Sequence, residues 1–438
     1  MRLTIRRAAA GAVTIALATL GLAACGVGTD SGSGKPAELS QGEVNLRVNW
    51  WGGDARTKLT QTAIAAFEKK HPNIHVTGEF SDWNGYWDKL ATATAGGNSP
   101  DVIQMDQLYL ASYADRGALT DLSKISQLKT SALDASVLGM GRTKDGLYAM
   151  PISTTAFGLL VNKDTLDKLG IALPDTNTWT WDQFDAFARS ITDKSGGKVY
   201  GTTPWGNEYS LELAARQAGD QMFKDGQIVI KPETVAGYFQ RALDWSKDGA
   251  SQPASQFAEQ ASATLEQSDF ATGKSAMIFT QVSQLTAYAK AAGDANVVVA
   301  KLPADANAGK YFYFKPGMYW SVSAKSEHPA EAALFVDFMV NDPDAGAILG
   351  TERGLPANPT VVKAITGHLD ANDKKVVDYT DAMTPDLGQA PEIVPNGASD
   401  TDTLILRYLQ DVLFGKKTPQ QAADGLIGEL KSGINAAK

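Results

Sequence analysis

Between residues 44 and 105 three short apolar runs alternate with two helical stretches, and that order constrains the fold more than any other feature of the sequence. Residues 44–51 form the first run. Residues 55–70 place Leu59, Ala63 and Phe67 on one helical face and stop at Pro72. Residues 74–80 predict a second strand, 85–95 a second helix, and 101–105 a third strand after the Gly96-Gly97-Asn98-Ser99-Pro100 loop. Strand, helix, strand, helix, strand implies an α/β body with parallel pairing and right-handed crossovers. In such sheets ligands sit beyond the carboxyl ends of the strands, here Trp50, Trp51 and Asp54 on one loop and Asp106 and Gln107 on another.

Further along, a hairpin turn at Lys144-Asp145-Gly146 leads into a run over 147–152, and 157–161 is another apolar run. Thr180 and Gln183 form a capping box ahead of the stripe Phe184, Phe187, Ala188 and Ile191. Thr418-Pro419-Gln420-Gln421 starts a last helix carrying Ala423, Leu426, Ile427, Leu430 and Ile434. A length of 438 residues suggests two to three domains, and 43% hydrophobic residues suffice for their cores. The net charge of −9 argues against a nucleic-acid partner. A single Cys excludes an intrachain disulfide and a multi-thiolate metal site.

That Cys stands at the end of a processing signal. Arg2, Arg6 and Arg7 precede an apolar stretch over 8–24, too short for a permanent span, and Leu22-Ala23-Ala24-Cys25-Gly26 resembles the lipobox of bacterial lipoproteins. The resemblance implies a signal peptide over 1–24, a lipid on Cys25 that anchors the chain at the outer face of the cytoplasmic membrane, and a flexible tether over 25–43. Arg6-Arg7 leaves the export route open between the general and twin-arginine pathways. Loss of the signal removes three Arg and no acid, which takes the net charge to −12, so the lipid and not surface charge must hold the membrane.

Enzyme and cofactor motifs fail one by one. Ala271-Thr272-Gly273-Lys274-Ser275 has Ser268 where a P-loop needs its first Gly. His71 and His75 flank Pro72, which breaks the helix a zinc pair would need. No nucleophile elbow or dinucleotide fingerprint is found, and neither a metal, a cofactor nor a catalytic residue is expected. The aromatic residues are more telling. Trp87, Trp179, Trp181 and Trp245 sit among apolar neighbours and are expected in the core. Trp50, Trp51, Trp83, Trp205 and Trp320 fall instead at turns or strand ends beside Gly, Asn and Asp. A pyranose offers an apolar C–H face to such rings and a hydroxyl rim to polar side chains, and a hydroxyl buried unpaired costs about 1 to 3 kcal/mol.

At the level of whole segments, the chain from residue 44 onward resembles the extracellular solute-binding proteins of bacterial ABC importers, in the branch that includes maltose- and other oligosaccharide-binding proteins. The matching stretches are Ala65-Ala-Phe-Glu-Lys-Lys-His-Pro-Asn-Ile-His-Val76, Ser99-Pro-Asp-Val-Ile103, Phe157-Gly-Leu-Leu-Val-Asn-Lys-Asp164 with Thr180-Trp-Asp-Gln-Phe184, Phe270-Ala-Thr-Gly-Lys-Ser-Ala-Met277, Glu331-Ala-Ala-Leu-Phe-Val-Asp-Phe338 and Arg353-Gly-Leu-Pro-Ala357. The resemblance implies a two-lobed periplasmic-binding-protein fold of type II, each lobe an α/β unit with a sheet flanked by helices. Lobe 1 would comprise 44–154 and 318–354, and lobe 2 would comprise 155–317 and 355–438, with hinge strands near 153–156, 314–318 and 353–356. It implies capture of a carbohydrate between the lobes and delivery to an ABC permease, by a monomer without enzymatic activity. The family's binding loops map onto Trp50, Trp51, Asp54, Trp83, Asp106, Gln107, Thr155, Trp205, Asn207, Glu208, Tyr209, Gln281, Tyr319, Trp320 and Arg353. Gln281-Val282-Ser283 departs from the Gly and Trp of several relatives, so one stacking platform is missing. The alternatives are a secreted carbohydrate-active enzyme, or a binding protein for a polyamine or a glycerol-phosphate ester.

Overall fold

The computed structural model describes residues 37–143 and 146–438. The signal, Cys25, the first part of the tether, and Lys144 and Asp145 of the expected turn lie outside the described residues. β1 (Val44–Trp51), α1 (Asp54–Lys70), β2 (Ile74–Ser81), α2 (Trp83–Ala95), β3 (Val102–Met105) and α3 (Gln107–Asp115) follow in the expected order. The chain continues through β4 (Met150–Pro151), β5 (Ser153–Thr155), β6 (Phe157–Asn162), α4 (Trp181–Lys194), α5 (Glu208–Gln217), β7 (Met277–Gln281), β8 (Val297–Ala300), β9 (Lys315–Pro316), β10 (Tyr319–Val322), β11 (Leu355–Pro356), α6 (Thr401–Leu413) and α7 (Pro419–Ala436). Both capping boxes form: the side chains of Thr180 and Thr418 accept from the backbone of Gln183 and Gln421, whose own side chains return the bond.

Two sheets carry two lobes. The first has the order β2-β1-β3-β10-β4, with β1 parallel to β2 and β3 while β10 returns antiparallel. The second has the order β7-β6-β8, with β6 in the middle and buried along its whole length. Between them lies a third, minimal sheet, β9-β5-β11, in which Lys315 faces Thr155, Leu355 faces Thr154 and Pro356 faces Ser153. The three segments expected to cross between lobes are thus hydrogen-bonded to one another. Each sheet has its own hydrophobic core, and Met140, which precedes the first crossing, packs into the second.

The run over 147–152 is two short strands rather than one. The backbone amides of Tyr148 and Ala149 both donate to the Gly141 carbonyl, which turns the chain, so Gly146–Leu147 pairs with Arg142–Thr143 and only Met150–Pro151 joins the main sheet. Ahead of β1 the Ala37 carbonyl accepts from Gln127 and the Ser40 amide donates to the buried carboxylate of Glu331.

Packing is tight where β1 meets β2. The indole of Trp50, fully buried, lies across Gly78 and stacks at 6.2 Å on Phe80. A Cβ at Gly78 would come within 2.4 Å of the ring, and the indole cannot withdraw from a filled core. Gly78→Ala is expected to lower stability by about 2 kcal/mol, with partial recovery when Trp50→Phe frees the space, as read by thermal unfolding of both variants.

Candidate functional site

The polar residues that matter are assembled by helix starts and by the connecting strands. Asn207 caps α5, its side chain accepting from the Ser210 amide at 2.9 Å, which sets Glu208 in the first turn. Glu208 is buried and its Oε2 lies 2.7 Å from Nζ of Lys315 on β9. The Glu208 amide donates to Oδ1 of Asp402, in the first turn of α6, at 2.6 Å. Asp106 caps α3 by accepting from the Leu108 amide at 2.9 Å, and its carboxylate is held in the field of Lys315. Three carboxylates from three helix starts therefore surround one ammonium from a connecting strand.

Burial dominates their electrostatics. Removal from water pushes the Asp402 carboxyl up to about 6, against the pull of the Glu208 amide and of Lys315. Burial raises Asp106 as well, again opposed by Lys315. Desolvation works to lower the Lys315 ammonium, but Glu208 and Asp106 outweigh it and the net shift is upward. The carboxylates and the lysine are thus interdependent, as buried charges must be.

Aromatic and hydroxyl groups frame this quartet. Tyr209 donates to the Tyr313 carbonyl at 2.9 Å, its phenol pushed up by burial, and Nζ of Lys315 lies 5.4 Å from its ring. Tyr319 donates to the Met140 carbonyl at 3.1 Å and Thr155 to Ser283 at 3.1 Å. On the first lobe Trp51 and Trp83 meet edge to face at 5.0 Å, and Trp87 stacks on Tyr109 at 3.8 Å. Trp83 is 40% exposed, more so than the Trp51 and Trp87 rings it meets. Tyr109 feels both Asp106 and Asp402, which ties this aromatic group to the quartet. Gln107, the first residue of α3, is buried with both amide atoms unpartnered. From there α3 runs about 13 Å to a cavity of 1180 Å³ lined by its last turn, by Met140 and Arg142, and by Glu392, Ile393 and Lys438.

Four expected site residues belong elsewhere. Trp50 and Trp320 are fully buried in the first core, because β1 and β10 are inner strands of a sheet covered on both faces. Trp205 is buried in the second core, against Phe279 at 4.7 Å and Trp181 at 5.0 Å. Arg353 is 5% exposed, donating to Thr60 at 2.7 Å and Gln104 at 3.3 Å with its guanidinium over Trp320. Its role is to tie β11's approach to α1 and β3. Asp54 is exposed in the first turn of α1, and Gln281 ends β7 partly exposed; neither joins the quartet. Trp87, Trp179, Trp181 and Trp245 are buried as expected. Sequence reasoning missed Lys315, Asp402 and Tyr109. Lys315 alone left a trace, as a charge directly after the aromatic run Tyr311-Phe312-Tyr313-Phe314 and before Pro316.

Residues 53–345 match the family described as bacterial extracellular solute-binding protein. The chain belongs to that family. The binding protein is 27% identical over 347 residues to an uncharacterized lipoprotein of Streptomyces antibioticus, covering 75% of this chain and 72% of that one. A melibiose/raffinose/stachyose-binding protein of Bacillus subtilis is 31% identical over 147 residues, a third of this chain and 32% of the relative. Among solved structures, a periplasmic oligogalacturonide-binding protein of Yersinia enterocolitica, in complex with saturated digalacturonic acid, superimposes with a TM-score of 0.76 at 25% identity, covering 90% of this chain and 100% of that one.

The quartet of the binding protein contributes to its pH response. The folded state holds the Asp402 proton more tightly than the unfolded chain, so stability falls as pH rises from near 4 through about 6. Asp402→Asn is expected to raise the melting temperature by a few degrees at pH 7.5 and to change it little at pH 4, by scanning calorimetry. Lys315→Met, which leaves the carboxylates uncompensated, is expected to cost about 3 kcal/mol at pH 7.5, partly restored by Glu208→Gln.

Proposed function

We propose that this protein captures a carbohydrate between its two lobes and delivers it to the permease of an ABC importer, held at the outer membrane face by a lipid on Cys25. The observation that carries the reading is the convergence of hydroxyl-binding groups from both sheets and from the connecting strands on one place: Asp106 and Gln107 from the first, Glu208, Tyr209 and Asp402 from the second, Thr155 and Lys315 between. Trp83, backed by Trp51, supplies an exposed ring for a sugar face. A ligand touching both lobes binds the closed form better than the open one, and only that difference can drive closure. The names of the Bacillus and Yersinia relatives support a sugar as the solute. The lobes would divide at 44–154 with 318–354 and 155–317 with 355–438, the protein acting as a monomer with no bond made or broken. A polyamine would need the carboxylates that Lys315 already engages.

In a thermal-shift screen of the mature chain against glucose and galactose di- and trisaccharides, a binder at 100 times its Kd stabilises the fold by about 2.7 kcal/mol, and small-angle scattering should show a smaller radius of gyration. Trp83→Ala is expected to weaken that binding about tenfold to hundredfold while lowering the melting temperature of the free protein by only a few degrees, through the lost edge contacts with Trp51 and Trp87. Failure of every sugar to shift unfolding defeats the reading.

The anchor is tested separately. Cys25→Ser is expected to move the protein from the membrane fraction to the soluble one, since among the described residues no helix is long and apolar enough to cross a membrane. Retention of the variant in a strain lacking the permease would defeat the lipid assignment.

A further inference from the structure

The cation at the centre of the site is already engaged, Lys315 with Glu208 at 2.7 Å, while Arg56 pairs with Glu352 at 2.9 Å and Arg353 lies buried with Thr60 and Gln104. Asp106 and Asp402 share the one lysine with Glu208, which leaves the group net negative. Glu208 is held by Lys315 and Asp402 by a single backbone amide, so further partners of these carboxylates must be donors. Gln107 adds an independent demand. It is 1% exposed and both its Nε2 and its Oε1 lack a partner among the described residues, so a group that completes it must accept one hydrogen bond and donate another. A sugar hydroxyl does both, whereas a carboxylate only accepts and would leave Oε1 unpaired.

We infer that the site discriminates between neutral and acidic sugars, binding neutral glycosides and rejecting uronates, through Asp106, Glu208, Asp402 and the unpartnered amide of Gln107. The inference rests on the sugar-binding reading above and departs from the Yersinia neighbour, whose structure holds digalacturonic acid in the same fold. Two like charges about 8 Å apart at an effective dielectric of about 20 repel enough to weaken binding about thirtyfold. Recognition of a uronate carboxylate would call for a free Arg or Lys beside these carboxylates, where Lys315 is already paired with Glu208.

The test is titration calorimetry at pH 7.5 on disaccharide pairs that differ only in oxidation at C6, such as galactobiose against digalacturonic acid and the corresponding glucose pairs. In the pair whose neutral member binds, the uronate is expected to bind at least thirtyfold more weakly, with the gap narrowing by about tenfold in Asp402→Asn. The wild-type protein gives a second reading that needs no variant: 1 M NaCl should narrow the gap by screening. A uronate that binds within threefold of its neutral partner, or more tightly, overturns the selectivity and leaves the sugar-binding reading standing. Absence of binding by both members of every pair defeats the sugar-binding reading and this inference with it.

Discussion

A buried ammonium can be kept only where carboxylates compensate it, and Lys315 meets that condition with groups drawn from three helix starts. The consequence is geometric as much as energetic. Lys315 lies on β9, the strand by which the chain returns toward the first sheet, and it sits opposite Thr155 on β5. Its carboxylates open α5, cap α3 and enter the first turn of α6. One charge therefore fixes three helix starts relative to a connecting strand, and any change in how the lobes meet must change how those charges are shared. The arrangement leaves an excess of negative charge where a ligand would lie.

The tryptophans divide according to which strand bears them and not according to their neighbours in sequence. Trp50 and Trp51 are adjacent, yet alternation in β1 sends the first into the core over Gly78 and the second toward Trp83 and Trp87. Trp320 follows the same rule on β10, where it meets Phe335 on one side and carries the Arg353 guanidinium at 5.7 Å. Arg353 is thereby a tie between β11 and the body of the first lobe.

Several features were legible because they are local. The strand–helix alternation over 44–105 and the capping boxes at Thr180 and Thr418 rest on periodicity and on short-range hydrogen bonds. Asp106 and Glu208 were also accessible, since each sits where a strand or loop gives way to a helix. Asp402 was not: Ser399-Asp400-Thr401-Asp402 reads as helix-start chemistry, and nothing in it points to a partner 194 residues away.

The sequence by itself determined the fold class, the family and the helix starts that carry carboxylates, because those depend on patterns within a few residues of one another. Only the tertiary structure decided which rings and charges share a site. Burial and ion pairing are properties of elements brought together from distant parts of the chain, and the same Trp or Arg at the end of a strand is core or surface according to what its sheet is covered by. Lys315 becomes a central charge, and Trp50, Trp205, Trp320 and Arg353 become structure, only when β9, β10 and α5 are in place.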